Sequence, residues 1–235
     1  MLNANHLFEA ACYVDEKKRK WVVLCILKTC YKTLSAASFI TRIEELKSSF
    51  ESGFMEFNNF IYGDFLEESF LMNAVKVCMC FENFFKAELL LSDYIIHEID
   101  ETVNQGKYIE LAQRQQKYPI KISEIKQEEG LLLQQGNEYS FQSLKKTTIK
   151  FNHFLNKKKY YSEIAVPKKL IQILYTLNKR RNTLHYFVTD SYEVSNENID
   201  EFIYIKEYFN KYLVSKTNIL VQELGFPDVH LVKPL

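Results

Sequence analysis

Glycine and proline are scarce in this chain, with 6 Gly and 4 Pro among 235 residues. A sheet protein turns its chain at short intervals and needs those residues to do so. Their scarcity argues against a β-sandwich or barrel and favours a few long helices. Net charge is also missing: 30 Lys and Arg balance 30 Asp and Glu. Coating of nucleic acid by bulk electrostatics is therefore not expected, although a local basic groove is compatible with the balance. The cysteines Cys12, Cys25, Cys30, Cys78 and Cys80 are odd in number and contain no CxxC pair. A disulfide framework or zinc site is not expected, and a reducing cytoplasm fits best. The opening residues, MLNANHLFEA, lack the apolar core of a secretory leader. Long apolar runs are absent too. Trp21 to Ile40 comes nearest, but Lys28 and Lys32 interrupt it, so a core helix is expected there and no membrane span. There is no Walker loop, GxGxxG, GxSxG or HExxH, and neither a metal nor another cofactor is expected.

What the chain does have is aromatic bulk, 18 Phe and 15 Tyr, which must fill much of a core. The expected fold class is all-α. Residues 6 to 50 read as helical, with the charge run Asp15 to Lys20 preceding an apolar-periodic stretch that begins at Trp21. Gly53 and Asn58-Asn59 suggest a break, with Asp64, three residues before Glu67, as a cap for the next helix. Residues 65 to 98 carry the strongest helical pattern. Leu71, Ala74, Val75, Cys78, Phe81, Phe85, Leu89 and Ile96 recur on one broad face, as a central core helix would require.

Residues 100 to 142 read as a loop-rich insertion, with a short helix from Tyr108 to Gln116 ended by Pro119. Ser143 to Tyr161 reads as a basic helix in which lysines alternate with Phe151, Phe154, Tyr160 and Tyr161. It is either a solvated face over an aromatic core face or a surface for RNA, with Asn152 and His153 at hand. Pro167 suits the first turn of another helix carrying Leu170, Ile173, Leu174 and Leu177. A last helix spans about Asn198 to Leu224, closed by Gly225 and Pro227. The implied organisation is an N-terminal helical extension (1–62), a main helical domain (63–226) and a tail (227–235).

One run concentrates possible chemistry: Arg180-Arg181-Asn182-Thr183-Leu184-His185. A guanidinium holds a phosphate by its fork geometry and offsets charge building on it. Histidine titrates near neutral pH and moves protons. Together they suit metal-free RNA cleavage, with the ribose 2′-hydroxyl attacking the adjacent phosphate. One His does not easily serve as both base and acid, whereas a symmetric dimer supplies two. The plain alternative is a helix end, where Arg and His complement the dipole and bond the last carbonyls.

The run resembles the R-x4-6-H motif of the HEPN superfamily of helical domains. Arg180 and His185 satisfy the x4 spacing. The upstream helix with Glu82 and Lys86, and the lead-in PKKLIQILYTLNKRRN, are similar to the family's approach to its motif. The likeness covers roughly residues 65 to 222. In this family a polar residue, often Asn, directly follows the motif Arg. Arg181-Asn182 competes for that position, and in that register Tyr186 takes the place of the His.

The resemblance implies a HEPN-type bundle, a homodimer through the motif helices and metal-independent ribonuclease activity in toxin or antiviral, abortive-infection systems. An antitoxin or defence-complex partner goes with that role. Arg180 and His185 would be catalytic. Arg181, Asn182 and Tyr186 would bind RNA or orient the Arg, and Glu82 with Lys86 would assist or simply form a helix salt bridge. Members without catalysis imply the alternative of an interaction or nucleotide-binding module. His97 with Glu98 and Asp100 forms only a weak metal candidate, because neighbours on a helix point apart.

Overall fold

A computed structural model describes residues 12–52, 54–100, 102, 106–126, 132–135, 138–141, 144–183 and 196–235. The helices are α1 (Glu16–Ser35), α2 (Ser38–Thr41), α3 (Ile43–Glu51), α4 (Phe54–Leu91), α5 (Gly106–Gln115), α6 (Ile122–Lys126), α7 (Phe151–Asn156), α8 (Lys158–Glu163), α9 (Lys168–Thr183), α10 (Asn196–Tyr208) and α11 (Ser215–Glu223). Four short strands accompany them: β1 (His97–Ile99), β2 (Leu132–Gln135), β3 (Glu138–Phe141) and β4 (Leu144–Thr148). The chain is therefore mostly helical, as expected, but not purely so.

The chain divides into two compact units. The first comprises residues 1–26, 82–166 and 223–225, and the second residues 27–81, 167–222 and 226–235. These boundaries differ from the expected ones at 62 and 226, and α1 and α4 each contribute to both units.

Several expectations need correction. Asn58-Asn59 and Asp64 neither break nor cap a helix, since all three lie inside α4, which starts at Phe54. That helix ends at Leu91 rather than near 98. Its end is built by Asp93, whose φ of 66° places it in the left-handed region. From there Asp93 N–H reaches Leu90 O (3.2 Å) and Tyr94 N–H reaches Leu89 O (2.9 Å), a Schellman closure that satisfies otherwise orphaned carbonyls. Asp is among the few non-glycine residues that tolerate this region. Arg19 holds its carboxylate at 3.2 Å. The residues after the turn are extended, and β1 pairs antiparallel with β4, with His97 opposite Thr148 and Ile99 opposite Leu144. Residues 144–148, expected to be helical, thus form a strand. The β-branched pair Thr147-Thr148 favours that state once a partner strand is present.

The inside of the first unit is aromatic and polar at once. Phe85 packs on Phe151 and Phe154, with centroids 6.0 and 5.6 Å away, and Tyr160 meets Phe154 edge-on at 5.8 Å. Of the two readings of the 143–161 stretch, burial of Phe151, Phe154 and Tyr160 supports the aromatic core face. Gln115, itself buried, stands in for a missing neighbour strand. Its Oε1 accepts Ile99 N–H (2.8 Å) and its Nε2 donates to His97 O (2.8 Å). Buried backbone groups need such partners.

The second unit is built from helices. Phe39, Phe70 and Phe202 form a ring cluster with centroids 5.3 to 5.8 Å apart. Buried Asn73 accepts Phe39 N–H at 3.1 Å, fixing the entry to α2. The expected last helix is observed from Asn196 to Glu223, but a π-helical segment, Phe209–Val214, interrupts it. Gly225, at φ 72°, terminates it, and Phe226 N–H reaches Val221 O at 3.0 Å. The terminal residues are tied down by two side-chain amides. Asn218 bonds both N–H and C=O of Val232 (2.8 and 3.0 Å), and Asn210 does the same for Leu235 (2.8 and 3.3 Å).

Candidate functional site

Helix α9 presents the Arg run. Leu170, Ile173, Leu174 and Leu177 are buried at helical spacing and fix its inner face in the second unit. The helix continues without interruption through Arg180, Arg181 and Asn182 to Thr183. Arg180 and Arg181 are half-buried, and Asn182 is exposed. The Arg180 guanidinium carbon lies 5.5 Å from the Phe70 ring centroid, over the aromatic cluster. Its charge also acts on Glu201 of α10. Burial raises the Glu201 carboxyl above its ordinary range, while a hydrogen bond from Asn198 and the charge of Arg180 oppose that rise. Sequence reasoning missed Glu201, because nothing local links it to α9. His185 and Tyr186 lie outside the described residues.

Glu82 and Lys86 pair with each other on α4. Lys86 Nζ donates to Glu82 Oε1 at 2.8 Å, with side chains only 23% and 11% exposed. Both belong to the first unit, whereas α9 belongs to the second. Lys86 faces other chemistry in its own unit: its charge, after burial, is a cause of the His97 pKa falling to about 4. His97 is neutral at pH 7 and accepts the Tyr13 hydroxyl at Nδ1 (2.6 Å), edge-on to that ring. The Tyr13 oxygen in turn accepts Ile96 N–H at 3.0 Å. This histidine is a satisfied core residue. Among the described residues no group of three His, Cys, Asp or Glu is placed to hold a metal ion, and His97, Glu98 and Asp100 do not form one.

The first unit also contains a cavity of about 280 Å³ between α5, the β1–β4 pair and α7. Ile99, Ala112 and Ile149 supply apolar wall. Among the described residues that line it, Lys145, Lys150 and Lys157 bring three cations against the carboxylate of Glu98, with Asp100 near enough to feel the Lys145 charge. His153 also lines it. Its Nδ1 is closed off from solvent with no hydrogen-bond partner among the described residues. Burial lowers the His153 pKa, Glu98 opposes that, and Lys157 and Lys150 add to it. Lys150, His153 and Lys157 share one face by their three- and four-residue spacing. Lys145 joins them only because residues 144–148 are a strand.

Comparison of the chain with protein-family models, with curated proteins and with solved structures gives no match.

Proposed function

We propose that this protein is a metal-independent RNA endonuclease of HEPN type, working as a homodimer in a toxin or antiviral defence system. The observation that carries the reading is the continuity of α9. A single helix, anchored by buried Leu170, Ile171, Ile173, Leu174 and Leu177, delivers Arg180, Arg181 and Asn182 on its last turn and ends two residues before His185. In this reading His185 of one protomer takes the proton from the ribose 2′-hydroxyl. The oxygen attacks the adjacent phosphorus, and the 5′-oxygen leaves with a proton from the second protomer's copy of that histidine. A 2′,3′-cyclic phosphate and a 5′-hydroxyl result. The arginines offset charge on the equatorial oxygens.

The test is cleavage of a labelled RNA by purified protein carrying His185→Ala or Arg180→Ala. Each change is expected to cost at least about 100-fold in rate. Parent-level cleavage by both variants would falsify the proposal.

A second reading has its own support. Arg180 over Phe70, with its charge acting on Glu201, is what a structural anchor in a catalytically silent interaction module would look like. In that case Arg180→Ala lowers the melting temperature, and His185→Ala changes neither stability nor any RNA-directed readout.

A further inference from the structure

The first-unit cavity is used by neither reading of α9. Its polar groups divide into those committed to the fold and those that are not. Gln115 lines it, but both ends of its amide are occupied by the Ile99 and His97 backbone. Glu98 Oε2 accepts the Thr147 hydroxyl at 3.1 Å. By contrast, Lys150, Lys157 and Gln116 are exposed at the cavity, and Lys145 is half-buried there. Three lysines line one cavity in a chain whose overall charge is zero. Like charges so placed repel one another unless an anion joins them.

The apolar wall of Ile99, Ala112 and Ile149 selects a ligand with a flat or apolar part beside the anion. The cavity, at about 280 Å³, sits at the small end of the range of roughly 300–1,000 Å³ seen for ligand pockets. That excludes a large cofactor. A monocarboxylate needs one cation, whereas a phosphate dianion uses two or three, and lysine serves phosphate as a mobile point charge.

We propose that this cavity binds a small phosphomonoester of mononucleotide size. The phosphate lies among Lys145, Lys150 and Lys157, and the ring lies against Ile99, Ala112 and Ile149. Gln116 offers a side-chain amide to the hydroxyls of a ribose.

Calorimetric titration of the full chain tests this with adenosine and uridine monophosphates, the corresponding nucleosides, and inorganic phosphate. At least one monophosphate is expected to bind at least about tenfold more tightly than its nucleoside and than phosphate alone. Lys150→Glu together with Lys157→Glu is expected to abolish that binding. Lys158→Glu, exposed and outside the cavity, is expected to leave it unchanged. Ala112→Leu fills the wall and is expected to weaken the monophosphate more than inorganic phosphate, with circular dichroism confirming the fold. The proposal is overturned if neither monophosphate binds. It is equally overturned if phosphate alone binds as tightly, or if Lys158→Glu is as damaging as the cavity pair, since either marks a solvated basic face. Binding is read directly, so the result is independent of RNA cleavage.

Discussion

The two units solve the burial problem differently. The second packs helices through rings and aliphatic side chains: Phe39, Phe70 and Phe202 meet at its centre, and ion pairs such as Lys47–Asp200 and Arg42–Glu45 stay on the surface. The first buries polar side chains deliberately. His97 with Tyr13, and Gln115 between two backbone groups, replace the hydrogen bonds that a two-stranded ladder leaves unmade. A helix satisfies its own backbone along its length, so polar side chains buried in the second unit, such as Asn73 at the entry to α2 and Thr217 on Leu213 O beside the π-helical segment, serve places where a helix starts or is interrupted. A short strand pair leaves one edge open, and something polar must be spent on it.

The comparison makes graded predictions. Phe202→Ala, at the centre of the apolar unit, is expected to cost about 3–5 kcal/mol in denaturant unfolding. A much smaller loss would mean that the ring cluster is not the centre of that unit's stability.

Next comes acid. Burial, with the Lys86 charge, holds the His97 pKa near 4 against the ordinary 6.5. Between those values the unfolded chain binds the extra proton and the folded chain does not, so stability rises with pH across that window. The contribution is fully present above pH 6.5 and is lost as pH falls toward 4. It amounts to about 3 kcal/mol at neutral pH. Unfolding of the parent and of His97→Gln measured across this range should show the parent losing more. Equal slopes would mean that His97 is not buried in its neutral form.

Gln115→Ala removes the partners of Ile99 N–H and His97 O together and is expected to cost about 2–3 kcal/mol, with faster hydrogen exchange at the Ile99 amide. Unchanged exchange there would show that the amide bridge is not what closes the strand edge. The smallest effect belongs to the surface of the other unit. Lys47→Ala breaks an exposed pair and is expected to change stability by less than about 1 kcal/mol.

Much of the helical unit was legible in the sequence. The Leu170, Ile173, Leu174 and Leu177 spacing named α9 and its buried face, and Gly225 marked the end of the last helix. The first unit was less legible. The text YIIHEID continues an apolar run that reads as more helix, and Asp93 turns it only because an aspartate there accepts a left-handed backbone and the bond from Arg19. Lys145 and Lys146 look like the start of the basic helix that follows, yet Leu144–Thr148 finds its partner far upstream, where Ile99 faces Leu144 and His97 faces Thr148. The candidate cavity therefore stayed hidden: its cations were visible, but the strand that brings Lys145 to Lys150, His153 and Lys157 was not.

The sequence by itself determined the predominance of helix, the inner face of α9 and the placing of Arg180, Arg181 and Asn182 on its last turn, because helical periodicity is a local property of neighbouring side chains. Tertiary structure alone decided that Arg180 lies over Phe70 with its charge on Glu201, and that Lys145 shares one cavity with Lys150 and Lys157. Those contacts join residues distant in the chain, and no local spacing encodes them.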